Sequence, residues 1–278
     1  MLVLIGCGYT LERLASSEAQ RGRQLVASTR DAARTERLLA AGSNVRVVPD
    51  HLEAVRAHAA GAQVVYSLPP DAGLDEALAA ELARHRPSRF VYLSSTGVYG
   101  RARGVVTEET PVDDSPEAAG TPGAARLKAE RLFAPLGAIS LRVSGIYGPG
   151  RGLHERLRAG GYAMPGDGSG RISRVHVDDL AEAIRTALDA DEGKLPADRV
   201  LNVADDDAAP QREVVEWLCA RMGLPLPRSI PLEAAPVTLR GDRAVANSRL
   251  KTLGWTPRFA TYREGFSALL EPSKKGGL

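Results

Sequence analysis

The chain has 278 residues, of which 44% are apolar and 25% charged, and its formal net charge is +2. That length accommodates one large domain or two modest ones, the apolar share is ordinary for a globular core, and the balanced charge argues against a nucleic-acid or acidic-membrane partner. Arginine outnumbers lysine 31 to 5, but the arginines are scattered rather than clustered. Two cysteines, Cys7 and Cys219, are too few for a disulfide framework or a metal cluster, so both read as small apolar fillers and no metal is expected. No apolar run approaches the ~20 residues of a membrane span. The apolar start is too short for a secretory core and follows no basic segment, which makes a cytoplasmic protein the default expectation.

The first two thirds of the chain alternates short apolar runs with amphipathic stretches. Leu2–Ile5 reads as a buried strand, and Leu11, Leu14, Ala15 and Ala19 recur after it at helical spacing. Leu25–Ser28 is strand two, a charged helix follows with Leu38 and Leu39, and Val45–Val48 is strand three. Leu52, Val55 and Ala59 mark a short helix, Val64–Leu68 strand four, and Leu74, Ala77, Leu78 and Leu82 the next helix. Phe90–Leu93 is strand five. An irregular segment, Gly100–Gly123, leads to a helix from Ala124 to Ala134, and Ile139–Val143 is strand six. Such alternation predicts an α/β fold with a doubly wound parallel sheet of Rossmann type. After Tyr147 the rhythm breaks, with loop signals at Gly148-Pro149-Gly150 and Pro165–Gly170. Asp178 reads as the N-cap of a helix carrying Leu180, Ala183, Ile184, Ala187 and Leu188. Val200–Val203 is a further strand. A helix opens at Pro210 and closes at Gly223, a connector rich in proline spans Leu224–Pro236, and a last helix carries Tyr262, Phe266, Leu269 and Leu270. Pro272–Leu278 is expected to fray. The expected layout is a Rossmann domain over residues 1–146, with 172–203 packing back onto it, and a small substrate-binding lobe from 147–171 and 204–278.

The junction between the first strand and helix carries Gly6-Cys7-Gly8-Tyr9-Thr10-Leu11. Gly6 permits a tight turn, and Gly8 lets backbone approach a pyrophosphate lying on the helix N-terminus. The third glycine of the G-x-G-x-x-G pattern is replaced by Leu11, which is expected to push the helix outward and loosen the phosphate site. The ribose reader belongs ~20 residues on, at the end of strand two. Thr29, Arg30 and Arg34 stand there in place of a carboxylate, a set suited to a 2′-phosphate, so NADP is expected, with NAD as the alternative. Asp50 is placed to take the adenine amino group. Ser67-Leu68-Pro69 should run beneath the phosphates and ribose.

With these features the chain resembles the extended short-chain dehydrogenase/reductase superfamily, in its NAD-dependent epimerase/dehydratase group. The resemblance covers Met1 to about Leu270. It rests on the glycine turn and on Ser94-Ser95-Thr96-Gly97-Val98-Tyr99-Gly100, Leu141–Gly150, Arg174-Val175-His176-Val177-Asp178-Asp179-Leu180-Ala181 and Leu250–Pro257. It implies that Ser95 holds a substrate oxygen, and that a Tyr-x-x-x-Lys pair on the helix after strand five moves the proton. Here those two positions fall on Pro122 and Arg126, so the chain resembles the atypical members that lack the pair. Proline has no proton to give, while Arg126 keeps the charge that grips the ribose but does not titrate.

Tyr99 and Tyr147 are the candidate replacements, with Arg126 or Arg142 as the charge that would activate a phenol; the competing reading for Tyr99 is packing beneath the lobe. His176 titrates in the right range, although the resemblance implies a packing role for it. Arg151 and Arg174 are candidates for an anionic group on the substrate. Three readings follow: an NAD(P)-dependent oxidoreductase or epimerase acting on a small molecule, a catalytically inactive sensor of NADP(H) or a metabolite, and a fold that has lost its cofactor. The partner expected is a small molecule, with neither nucleic acid nor membrane, and the protein is expected to be a monomer or homodimer.

Overall fold

A computed structural model describes residues 1–236 and 239–271. Seven parallel strands form the central sheet: β1 (Leu2–Ile5), β2 (Leu25–Ser28), β3 (Val45–Val48), β4 (Gln63–Tyr66), β5 (Arg89–Ser95), β7 (Ile139–Val143) and β11 (Val200–Val203), in the order β11-β7-β5-β4-β1-β2-β3. β6 (Gly104–Val106) lies outside it. The strand order reverses between β1 and β4, and in doubly wound sheets ligands settle in the crevice at that reversal.

Both faces of the sheet are covered, so its strands are apolar on both sides. One face packs Leu2, Leu4, Ala27, Val65, Val91 and Leu141 against α1 (Tyr9–Gln20) and α7 (Val177–Asp189). The other packs Val3, Ile5, Val64, Tyr66, Phe90 and Tyr92 against α3 (His51–His58), α4 (Ala72–His85) and α5 (Pro122–Phe133). α2 (Ala32–Ala40) lies beside β3. The predicted elements of this half are all present, with boundaries shifted by a residue or two.

The irregular half holds short elements that periodicity did not signal. β8 (Gly145–Tyr147) pairs with β10 (Arg174–His176), β9 (Met164–Pro165) with β12 (Ser229–Ile230), and β6 with β13 (Arg243–Val245). A separate apolar cluster joins Tyr147, Leu157, Tyr162, Met164, Val214, Leu218, Tyr262 and Phe266. It brings together α6 (Leu153–Arg158), α8 (Gln211–Met222) and α10 (Tyr262–Leu270). The N-cap of α7 is His176, not Asp178. β10 runs into the helix without a linker, so the cap falls on the last strand residue, whose Nδ1 accepts from the Asp178 N–H at 3.2 Å. Asp178 sits in the first turn and pairs with Arg13 at 2.7 Å, where a carboxylate complements the helix dipole. The expectation for Pro272–Leu278 lies outside the described residues.

Candidate functional site

The glycine turn is held from three sides. Gly6 has φ of +74°, and a Cβ there would fall 2.4 Å from Leu68 Cγ, so the position requires glycine. Its N–H donates to Ser28 Oγ at 3.1 Å, and Ser28 Oγ lies 2.8 Å from His51 Nδ1. Ser67 Oγ donates to the Gly6 carbonyl at 3.2 Å. Gly8 is the N-cap of α1, and no side chain takes up the helix's first amides. A Cβ on Gly8 would meet only the Gly6 carbonyl, at 3.9 Å, which leaves space for a ligand's backbone-side approach. An uncapped helix N-terminus offers the free amides and the dipole that suit an anion. Thr10 is buried in the first turn, whereas Tyr9 reaches out: its Oη donates to the Pro149 carbonyl at 3.1 Å and its ring carries the Arg151 guanidinium at 5.3 Å. Burial pushes the Cys7 thiol up to about 12, so it stays protonated and inert at neutral pH, the filler expected.

Leu11 does not obstruct this turn. It is fully buried in the cluster that includes Ala181 and Ile184 of α7. The extra side chain is absorbed by helix–helix packing, while Gly6 keeps its left-handed turn.

At the end of β2, Thr29 is buried and its Oγ1 accepts from the Asp31 N–H at 3.3 Å. Arg34 is committed elsewhere, to Glu12 at 3.0 Å and Asp31 at 3.2 Å. Arg30 is exposed and without a hydrogen-bond partner among the described residues. Asp50 caps α3 by accepting from the Glu53 N–H at 2.9 Å, and that bond holds its carboxyl below the usual range.

The corner where chemistry is expected is built differently. Ser95 ends β5 and its Oγ accepts from the Gly97 N–H at 3.1 Å, capping the tight turn Thr96–Tyr99. α5 begins at Pro122, the position where the resemblance places a tyrosine, with Thr121 as its cap and proline at the first helical residue. The next residue, Gly123, lies so close to the turn that a Cβ would sit 2.2 Å from the Gly97 carbonyl oxygen. One turn further, Arg126 Nη1 donates to the carbonyls of Leu68 at 3.0 Å and Leu93 at 2.8 Å, and to Tyr92 Oη at 3.2 Å. It therefore stands at the ends of β4 and β5, beside Ser67-Leu68-Pro69.

Both replacement phenols face inward. Tyr99 is 1% exposed; its Oη donates to Asn202 Oδ1 at 2.7 Å and accepts from Arg142 Nη1 at 3.1 Å. Arg142 is itself neutralised by Glu130 at 2.8 Å, so it has little charge to spare for activating the phenol, and burial holds that phenol above its usual range. Tyr147 is 2% exposed, its Oη has no partner, and burial raises it further. It lies between His176 and Phe266, with Gly265 directly against the hydroxyl. Neither of the two phenols expected to replace the missing acid brings its hydroxyl to open space. His176, 2% exposed and pushed down to about 4 by burial, caps α7 and packs on Phe259.

Arg174, the other arginine considered for an anionic substrate group, is buried and donates to Gln211 Oε1 at 3.1 Å. Nearby, burial pushes the Asp205 carboxyl up to about 8. Sequence reasoning missed Arg243. Its Nη1 donates to the carbonyls of Thr96 at 3.3 Å and Gly100 at 3.0 Å, next door to Ser95. It lies 147 residues from Thr96, on a segment whose spacing carries no signal. The runs Arg174–Ala181 and Leu250–Pro257 meet through Trp255 Nε1, which donates to the Asp179 carbonyl at 3.1 Å. The Asp179 carboxylate accepts from the N–H groups of Arg258 and Phe259 at 2.8 and 3.1 Å.

The chain is similar to known proteins in sequence and in fold. A 3-diazoavenalumate denitrifying reductase from a Streptomyces species is 32% identical over 210 residues, and the match covers 66% of this chain and 66%, just under two thirds, of that reductase. A 2-alkyl-3-oxoalkanoate reductase from Stenotrophomonas maltophilia is 28% identical over 254 residues, 81% of this chain and 76% of the relative. Among solved structures, a functionally unknown conserved protein from Silicibacter pomeroyi DSS superposes with a TM-score of 0.79 at 28% identity, over 97% of both chains. A UDP-glucuronic acid 4-epimerase from Bacillus cereus in complex with NAD gives 0.78 at 16% identity over 97% of both chains, a likeness of fold alone. No helix of the described residues is long and apolar enough to cross a membrane. The profile of the NAD dependent epimerase/dehydratase family matches residues 19–204, two thirds of the chain and including the serine turn and α5, and the chain belongs to that family.

Proposed function

We propose that this protein is an NADPH-dependent reductase of a small carboxylate-bearing molecule, working without a protein-borne acid. The observation that carries it is the contrast at the strand ends: the glycine turn, open α1 amides and free Arg30 suit the cofactor, whereas the tyrosine position is the first residue of α5. In this reading Gly6, Gly8, Tyr9 and Thr10 form the pyrophosphate cradle, and Ser67, Leu68 and Pro69 run beneath it. Thr29 and Arg30 receive the 2′-phosphate by a charge-assisted contact, and Asp50 borders the adenine. Arg126 anchors the carbonyls of Leu68 and Leu93 and keeps a positive charge beside the ribose. Ser95, with its own proton still free to donate, orients the reacting group. NADPH supplies the hydride. Residues 147–171 and 204–271 serve as the substrate lobe over the domain formed by 1–146 and 172–203.

Epimerisation begins by removing a proton from a substrate hydroxyl, and among the described residues neither Pro122 nor the two buried phenols offer a base for it at this corner. Reduction is less demanding: NADPH delivers the hydride to the acceptor carbon, and where that leaves an alkoxide, as with an oxo-acid, the oxygen takes its proton from solvent water. Two of the curated relatives are named as reductases of carboxylates, one of them a denitrifying reductase.

The deciding experiment is calorimetric titration with NADPH and NADH at matched ionic strength, followed by a turnover screen on oxo-acids and aryl diazonium carboxylates. Tight NADPH, weak NADH and consumption of NADPH with one of these acceptors would support the reading. NADPH binding with no turnover would favour the second reading, a sensor without chemistry, for which the two buried phenols speak. No binding of either nucleotide would overturn both.

A further inference from the structure

Arg243 is fixed through its backbone. It pairs with Gly104 through β13 and β6, its N–H donates to the Arg171 carbonyl at 3.0 Å, and its carbonyl accepts from Ser173 Oγ at 3.2 Å. The side chain crosses to the serine turn, where only Nη1 is used. The opposite edge of the guanidinium, Nε and Nη2, has no acceptor among the described residues, and no carboxylate lies within 4.0 Å of the group. Burial disfavours its charge, and the nearby ionisable group is Tyr99, a phenol rather than an anion. The residue is half-buried, and neither Nε nor Nη2 is a buried, unpartnered atom, so this edge meets solvent and is available to an anionic ligand.

The neighbour of that edge is a glycine and not a side chain. Gly241 lies against it, and a Cβ there would stand 3.6 Å from Nε and 3.7 Å from Nη2. Gly241 also lines a cavity of about 130 Å³ with Gly166, Gly168, Gly170, Arg103 and Asp242. The acids beside this cavity are already engaged: Asp242 by Arg171 at 2.8 Å, and Asp167 by Ser169 at 2.7 Å. An arginine edge presents two parallel N–H groups, the geometry that takes a carboxylate through both oxygens.

We infer that the free Nε–Nη2 edge of Arg243 binds the carboxylate of the substrate, on the guanidinium whose Nη1 holds the Thr96 carbonyl beside Ser95. This rests on the carboxylate reading of the proposed function. It goes beyond that reading by assigning the recognition to one side chain, and by giving the substrate a carboxylate within a short reach of the reacting atom.

The test uses octanoate and octanamide, equal in length but one anionic and the other neutral, titrated calorimetrically into the protein saturated with NADP⁺. Octanoate should bind about tenfold or more tighter than octanamide. Arg243→Gln should remove that difference by weakening octanoate alone, and Arg243→Lys should keep part of it. Equal affinities in the unaltered protein, or an unchanged octanoate affinity in Arg243→Gln, would overturn the assignment. So would a parallel loss of both ligands in Arg243→Lys, which would make the residue a brace for Thr96. Failure of NADP⁺ to bind would instead count against the cofactor reading; the two ligands would then be compared on the protein alone.

Discussion

Two corners at the same end of the sheet, one after β1 and one after β5, follow different rules. The glycine turn keeps its backbone conformation, its clearance and its supporting hydroxyls, and has absorbed even a leucine at its third glycine position. The serine corner has kept its frame and changed its chemistry: Ser95 still caps its turn, but α5 starts with a proline and both nearby phenols are locked in the interior. Binding a dinucleotide depends on backbone shape, which many side chains can support. Moving a proton depends on one atom at one place, and a single substitution removes it.

The sharpest way to break the contrast is at the turn itself. Gly6→Val should abolish detectable NADPH binding by calorimetry and lower the melting temperature, since its Cβ would collide with Leu68 and the left-handed φ is strained for a β-branched residue. Retained binding would mean that the cofactor does not use this turn. Next comes Arg30→Gln, expected to weaken NADPH by about 10–100-fold and leave NADH nearly unchanged; an equal loss of both would remove the 2′-phosphate from its role.

A smaller effect probes the buried acid of the irregular half. Asp205 has a folded-state carboxyl raised from 3.8 to about 8. Folding therefore favours its protonated form, and the associated stability is complete below pH 4 and lost as pH climbs towards 8. Asp205→Asn should be near neutral at pH 4 and raise the melting temperature by about 3 °C or more at pH 9. A difference independent of pH would show that the carboxyl does not titrate in the fold. The smallest change is expected for Tyr147→Phe. Its hydroxyl is buried without a partner, so removal should stabilise by up to about 1 kcal/mol and leave any turnover within about twofold. A large loss of turnover would return Tyr147 to the chemistry and blur the two corners.

Sequence periodicity carried the Rossmann half because each strand there is an apolar run closed by a turn and each helix has one apolar stripe. The irregular half escaped it. β8, β10 and β13 have three residues each, too few to show a period, and their partners lie tens of residues away. At the site, the glycine turn and the proline at position 122 were legible, since both are local facts. The inward-facing Tyr99 was not, because its partners Asn202 and Arg142 come from β11 and β7. The isolation of Tyr147 and the reach of Arg243 across to Thr96 depend on contacts that no spacing encodes.

The placing of β11 has a consequence for how the chain is made. This edge strand pairs with β7, Val200 beside Ser140 and Val203 beside Val143, yet it emerges only after the excursion through residues 148–173. During synthesis the exposed edge of β7 must wait, unpaired, while that excursion leaves the ribosome. Unpaired strand edges recruit other chains, so a product halted near residue 146 should aggregate where one halted after residue 203 does not. The smallest autonomous folding unit in this protein would then be set by the order in which its sheet closes.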